Sequence, residues 1–261
     1  MDLKSAYLEN LGTPPNKVYK FFTLNENFYK TISGHYFWLS KPADFNDPFD
    51  CNPHLITFKP TKQAIKLLFK SQPLEGTRRQ RRNTLKGYFA QPEKIKKIHD
   101  ELKFEMNNVW GICCFTKTYK NILMWSHYAN KHTGVCLGFE PALSPDTFLI
   151  SNVKYTNHFQ PMDYGSQRQV ALFNMFITKS EDWKYEEEMR LVGHQTGKWP
   201  FPKKVLREVI FGCKTSKEDK KKVLEFLKAN GYDNVIYKQA TMREDSFLLD
   251  FKELNDIDQI N

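Results

Sequence analysis

Two glutamates one residue apart are the best candidates for chemistry in this chain. Glu186 and Glu188 belong to the string WKYEEEMRLV at residues 183–192, which also contains Arg190. On a strand, alternate side chains point to the same face, so these three side chains would project together. On a helix, Glu186 and Arg190 would form only a routine ion pair four residues apart. The turn-prone residues before the string and its Arg-Leu-Val-Gly ending favour the strand.

Paired carboxylates suit substitution at an anomeric carbon. Cleavage of a glycosidic bond passes through an oxocarbenium-like transition state, whose positive charge a neighbouring carboxylate stabilises. In NAD the leaving group is nicotinamide, which is already cationic, so bond breaking needs neither an acid catalyst nor a metal. We therefore assign Glu188 as the principal carboxylate and Glu186 as the group that orients or deprotonates the nucleophile. NAD is then the expected substrate, and no metal is expected.

An aromatic string precedes the glutamate pair. Residues 124–134 read MWSHYANKHTG, and on a helix Met124, His127 and Tyr128 share one face. One interpretation is a helix that packs Met124 and Trp125 into the core. Another is a ligand cleft in which Trp125 and Tyr128 wall the nicotinamide and His127 adds a polar tip. The two interpretations do not exclude each other.

The composition is that of a basic globular protein. The chain has 261 residues, a net charge of +9 and 40% apolar residues, enough to bury a sizeable core. No apolar run approaches the roughly 20 residues that a membrane helix needs, and the N-terminal string lacks a signal-peptide pattern. The five cysteines lie mostly in apolar strings without metal-ligand spacing, which predicts reduced core thiols. We expect a cytoplasmic protein with no membrane partner.

One segment concentrates the positive charge. Between Thr61 and Asn108, twelve Lys/Arg residues accompany five Asp/Glu, and apolar residues recur three or four apart, which predicts a basic helical insertion. Most such charge runs are solvated helix faces. The functional interpretation is contact with phosphates of RNA or DNA. The densest run consists of Arg78, Arg79, Arg81 and Arg82.

The order of predicted elements indicates an α+β fold. Residues 1–16 read as a flexible leader, 17–254 as a single α+β domain carrying the insertion at 61–108, and 255–261 as a tail. Short strands outnumber helices, and near the C-terminus they flank a helix capped by Ser216 and Asp219. We therefore expect a mostly antiparallel β core rather than a doubly wound sheet.

The chemistry-bearing strings together resemble a bacterial family catalogued as domain of unknown function 2971. The likeness rests on the strings VYK, WLS, FNDPFD, MWSHYA, GVCLGFE, WKYEEEMRL and VIFGC. It covers most of the chain apart from the basic insertion. Met189 stands where tryptophan is expected in that family. The likeness is specific for the family and by itself implies no reaction.

A remoter similarity is to the ADP-ribosyltransferase fold. There a first strand carries His or Arg, a second strand follows a helix and a glycine, and a late strand carries the catalytic glutamate. Here Tyr19-Lys20, the segment 34–40 and Glu188 occur in that order, with Tyr19 and Lys20 in place of His or Arg. The similarity implies a split β core and transfer of ADP-ribose to nucleic acid or protein. A toxin or phage-defence effector, with an antitoxin or regulatory protein as partner, fits it.

The resulting site assignment combines the strings with this similarity. The catalytic candidates are Glu188, Glu186, His127 and Tyr128. The candidate NAD contacts are Tyr19, Lys20, Trp38, Ser40, Asn46, Asp47, Trp125 and Arg190.

Other functions are compatible with the same residues. A metal-dependent nuclease is loosely suggested by Asp146 followed much later by Asp182 and Lys184, and its activity would depend on magnesium. A non-catalytic nucleotide- or RNA-binding module would use its carboxylates only to pair with Arg190. Such a module would still bind nucleotide after replacement of Glu188. Plain NAD hydrolysis differs from transfer only in using water as the acceptor.

Overall fold

The computed structural model describes residues 15–59, 61, 75–90 and 92–254. Most of the predicted leader and the whole predicted tail lie outside these ranges. The helices are α1 (Glu26–Gly34), α2 (Arg78–Ala90), α3 (Pro92–Asn108), α4 (Ile122–Tyr128), α5 (Tyr164–Ile177) and α6 (Lys217–Ala229). The strands are β1 (Val18–Phe22), β2 (Tyr36–Leu39), β3 (Ile56–Thr57), β4 (Gly111–Thr116), β5 (Val135–Phe139), β6 (Ile150–Asn152), β7 (Lys154–Tyr155), β8 (Met162–Asp163), β9 (Thr178–Lys179), β10 (Glu188–Gly193), β11 (Gly197–Pro200), β12 (Leu206–Phe211), β13 (Ile236–Met242) and β14 (Leu249–Glu253).

Eight strands form one large sheet in the order β14-β13-β12-β5-β1-β4-β10-β6. The pairing of β12 with β13 is parallel, and the other neighbours in this sheet are antiparallel. A separate antiparallel pair, β2 with β11, adjoins β4 through a bridge between Ser40 and Ile112. The structure thus confirms an α+β fold built on a mostly antiparallel sheet.

The sheet opens between β1 and β4. Strand β1 pairs with β5 along its whole length, but its ladder with β4 consists of the single pair Tyr19–Thr116. Past that pair the Lys20 ammonium donates to the carbonyl of Cys114 at 3.1 Å. A side chain therefore occupies a place where a continuous ladder would have backbone hydrogen bonds. The cavities described below adjoin this opening.

Helix ends follow local capping chemistry. The Asn25 side chain accepts from the amides of Asn27 and Phe28 and so acts as the N-cap of α1. The helix ends at Gly34, and His35 after it is in the left-handed conformation. The predicted cap of α6 is confirmed, with the Asp219 amide donating to Ser216 Oγ at 3.0 Å.

Both faces of the central strands are buried, one against the main core and the other against helix α4. On one face, Val18 of β1 and Phe28 of α1 belong to the main core, and Phe22 of β1 packs against it. On the other face Phe21 packs against Trp125 of α4. Helix α4 therefore covers the sheet beside the opening. Within the described ranges, no helix has the length and apolar character needed to span a membrane.

Candidate functional site

The two glutamates converge, although not along one strand. Glu186 ends a 3₁₀ helix, Glu181–Glu186, and Glu188 begins β10. The predicted strand is therefore wrong before Glu188. The 3₁₀ helix forms because Ser180 caps it by accepting from the Asp182 amide, and Glu187 then takes a left-handed conformation with φ 45°. This reversal brings the side chains of Glu186 and Glu188 onto one cation.

That cation is Lys179, at the end of β9. Its Nζ lies 2.6 Å from Glu186 Oε2, 3.0 Å from Glu188 Oε2 and 3.8 Å from Asp50 Oδ2. The ammonium thus occupies the space between three carboxylates. In the described parts of the chain, no group of three or more His, Cys, Asp or Glu is arranged to hold a metal ion. Sequence reasoning missed Lys179 because residues 173–179 showed no clear periodicity.

Arg190 holds the glutamate pair in position through Glu188, and its side chain is at 0% exposure. Its guanidinium donates to both carboxylate oxygens of Asp50 at 2.8 and 2.5 Å, and its Nε donates to Glu188 at 2.7 Å. Such a fork-to-fork pair fixes orientation as well as charge. Arg190 does not line the cavity, so its predicted contact with NAD is replaced by a positioning role. Asp50, the last residue of the FNDPFD string, was not among the predicted site residues.

The surroundings shift the pKa values of the two glutamates in opposite directions. Burial alone would raise the pKa of Glu188, but Arg190 and then Lys179 outweigh it and lower this pKa to about 2. Burial raises the pKa of Glu186 above its ordinary value, and the Glu188 carboxylate adds to this rise against the opposing effect of Lys179. Paired carboxylates with separated pKa values are typical of sites where one group stays ionised and the other exchanges a proton.

A cavity of about 160 Å³ opens above the pair. Its volume is below the roughly 300–1,000 Å³ of pockets for drug-sized ligands, so it admits one end of a larger ligand. Six predicted site residues line it, namely Tyr19, Lys20, Asn46, Tyr128, Glu186 and Glu188. Tyr128 donates to Glu186 Oε1 at 2.7 Å, which connects α4 to the carboxylate pair. Unpredicted lining residues include Phe45, Asp50, Cys114, Thr116 and Lys179.

Besides Arg190, three predicted residues line neither this cavity nor the second cavity described below. Trp125 is at 0% exposure, and its indole N–H donates to the Tyr119 carbonyl at 2.7 Å, so it supports α4 and does not wall the cavity. His127 is exposed on α4 beside the ring of Tyr185. Asp47 stabilises its own turn by accepting from the Phe49 amide at 2.9 Å. None of these three side chains lines the cavity above the glutamates.

A second cavity, of about 640 Å³, also begins at Lys20. Successive residues of β1 line different cavities, since Phe21 lines the first and Phe22 lines the second. The second contains the predicted contacts Trp38, at 55% exposure, and Ser40. Its charged lining residues are all cations, namely Lys20, Lys30 and Lys198. The first cavity is therefore an acidic compartment and the second a basic compartment, and Lys20 lines both.

The basic insertion contains the helices α2 and α3, which include most of its described residues. Its arginines lie in the first turns of α2 and are exposed, which leaves them accessible to a polyanion. Those side chains are Arg78, Arg79, Arg81 and Arg82. Contact with nucleic acid stays a prediction.

Comparison with known proteins agrees with one part of the sequence likeness. Residues 124–191 match the model of a family described as Protein of unknown function (DUF2971). The matched segment begins in α4 and ends in β10, so it contains Tyr128, Lys179 and both glutamates of the site. No curated protein and no solved structure matches the chain significantly. The similarity to the ADP-ribosyltransferase fold stays a prediction from the sequence.

Replacing Tyr128 with phenylalanine is expected to move the acid limb of the pH–activity profile. The Tyr128 hydrogen bond favours ionised Glu186 and so opposes the rise in its pKa. Without that bond the pKa of Glu186 rises further, and a reaction that needs ionised Glu186 fails at a higher pH. We expect the acid limb of the profile of kcat/KM against pH to move to higher pH, because a hydrogen bond that stabilises the charged form is lost. Tyr185→Phe is the matched control, and equal profiles for both variants would contradict the assignment.

Proposed function

We propose that this chain cleaves the nicotinamide–ribose bond of NAD and transfers ADP-ribose to a macromolecular acceptor. The observation that carries the proposal is the match between the charges of NAD and the two compartments that meet at Lys20. The first compartment holds the carboxylates of Asp50, Glu186 and Glu188. Their charges are opposed by Lys179 and Lys20, which also line it, and by the buried Arg190. The carboxylates suit a cationic nicotinamide riboside, while the basic compartment suits the diphosphate.

The proposed step uses the glutamates in different roles. The bond between ribose C1′ and the nicotinamide nitrogen breaks, and its electron pair leaves with neutral nicotinamide. Glu188, ionised because its pKa is about 2, faces the positive charge that develops on the ribose. A nucleophilic atom of the acceptor bonds to C1′, and Glu186 takes up its proton. Water as nucleophile would give hydrolysis in the same site.

The geometry supports the alternatives less well. A metal-dependent nuclease would need ligands free to bind a divalent ion, but here Lys179 lies among the three carboxylates. Asp182, part of the nuclease-like pattern, is an exposed residue of the 3₁₀ helix. A purely structural network would not require the glutamates to line a cavity, as both do.

Transfer is tested with NAD labelled in its adenylate half. The purified chain is incubated with single-stranded RNA, single-stranded DNA or cell protein, with and without EDTA. We expect label on one acceptor class, unaffected by EDTA. Label on nucleic acid would favour a contact through the arginines of α2, whereas label on protein would favour the other acceptor class. Magnesium-dependent cleavage of the nucleic acid without labelling would instead support the nuclease.

Replacing Lys20 with methionine is expected to weaken NAD binding. Among the described residues, Lys20 is the one charged residue common to both cavities, and methionine keeps the length of the side chain. Loss of one charge-assisted contact to phosphate corresponds to about 1.5–3 kcal/mol, or roughly a 10–100-fold rise in KM. Exposed Lys154, which lines neither cavity, provides the control variant Lys154→Met. An unchanged KM for Lys20→Met would remove the basic compartment from the proposed NAD site.

A further inference from the structure

Strand β14 forms one end of the eight-stranded sheet. Its inner side pairs with β13 in an antiparallel register that aligns Phe251 with Ala240. The Arg243 amide donates to the Leu248 carbonyl, and the Leu254 amide donates to the Tyr237 carbonyl. The backbone groups of even-numbered residues therefore point to β13. Because alternate residues of an antiparallel strand point opposite ways, the odd-numbered residues turn their N–H and C=O groups to the outer edge.

The side chains along this edge are complementary to themselves. The even-numbered residues from 248 to 254 read Leu, Asp, Lys, Leu. If a second copy pairs antiparallel about Phe251, Asp250 lies opposite Lys252 of that copy and Leu248 lies opposite its Leu254. Both charged side chains are exposed, so each is available to the other copy. Opposite charges and apolar pairs placed directly across two strands stabilise the pairing, whereas like charges oppose it.

The backbone geometry permits the same register. Pairing about Phe251 matches odd-numbered residues with each other, and these are the residues whose backbone groups point outward. The even-numbered pairs then fall at non-hydrogen-bonded positions, where side chains approach most closely. A lysine on an edge strand ordinarily discourages pairing. Here Asp250 of the second copy would neutralise Lys252. Asp250 also has an exposed contact with Arg243 of its own copy at 2.8 Å.

We propose that β14 is a homodimerisation edge, through which two copies join their sheets around a two-fold axis at Phe251. Such an isologous contact presents the same patch on both copies, as the self-complementary order of residues requires. A five-residue strand is a small interface. We therefore expect a reversible dimer with a dissociation constant on the order of micromolar.

Sedimentation velocity over a concentration series tests the proposal. Wild-type protein should shift from monomer to dimer. Lys252→Asp places two aspartates opposite each other and should leave a monomer, whereas the double variant Asp250→Lys/Lys252→Asp restores opposite charges and should restore the dimer. Lys222→Asp makes the same charge change on an exposed position of α6 and should still dimerise. A wild-type monomer at all concentrations, a dimer of Lys252→Asp, or no restoration by the double variant would each overturn the proposal.

Hydrogen exchange provides a measurement that needs no variant. The outward amides of Leu249, Phe251 and Glu253 should become protected as the wild-type protein is concentrated. Protection that is already complete in dilute monomer would mean that the edge is covered within one copy, and would overturn the proposed dimer.

Discussion

Glu188→Gln is expected to lower ADP-ribose transfer from NAD by at least about 10²–10³-fold, the usual loss when one transition-state contact is removed. Glutamine keeps the shape of the side chain but removes the negative charge that the proposed reaction needs beside the ribose. The structure makes the loss specific to charge, because Arg190 and Lys179 keep this carboxylate ionised far below neutral pH. The measurement is the single-turnover rate of label transfer at saturating NAD, which separates the chemical step from binding.

The chain supplies a matched control one residue away. Glu187 carries the same side chain but is exposed, so Glu187→Gln should transfer ADP-ribose at the wild-type rate. Glu188→Gln also weakens a buried pairing with Arg190, so rates are compared per folded molecule. Equal activity of Glu188→Gln and Glu187→Gln would place the reaction away from this carboxylate pair.

Arg190→Met is expected to lower the free energy of unfolding by about 3–5 kcal/mol, the largest stability effect among the variants considered. Removing the guanidinium leaves Asp50 and Glu188 buried without their principal partner. Two elements far apart in sequence, the FNDPFD turn and β10, would lose the ion pairs that join them. The measurement is denaturant unfolding at neutral pH, evaluated at constant m-value.

Arg207→Met serves as the control for this effect. Arg207 approaches Glu140 at 3.7 Å with both side chains about one-third exposed, so its loss should change stability by less than about 1 kcal/mol. Similar stabilities of the two variants would show that the Arg190 network contributes little to folding. Since Arg190 does not line the cavity, any loss of transfer activity in folded Arg190→Met would act through Glu188, by a change in its position or a rise in its pKa.

Local signals in the sequence predicted local structure well. The cap of α6 by Ser216 acts within a few residues, and it appears in the structure as predicted. The mostly antiparallel sheet also followed from short strands and turns. The strand predicted before Glu188 failed because alternation of residue types cannot show that Glu187 adopts a left-handed conformation. The two glutamates converge because of this left-handed residue and not because they alternate along a strand.

Long-range pairing explains the remaining differences. Arg190 is buried because Asp50, 140 residues earlier, lies against it, and no local pattern predicts such a pair. Lys179 likewise acquires its role only in the fold, where β9 pairs with β7 and its ammonium reaches Glu186 and Glu188. Trp125 shows the reverse case, since its helical spacing was compatible with both the core and a cleft. The structure places it in the core, while Tyr128 on the same helix reaches the cavity.

The most direct test of the central claim is release of free nicotinamide from NAD, followed by proton NMR in the presence of EDTA and cell extract as a source of acceptors. We predict nicotinamide resonances that grow in proportion to the concentration of the chain, and that stay at background with Glu188→Gln. Intact NAD after prolonged incubation with folded wild-type protein, with every acceptor class supplied, would contradict the account.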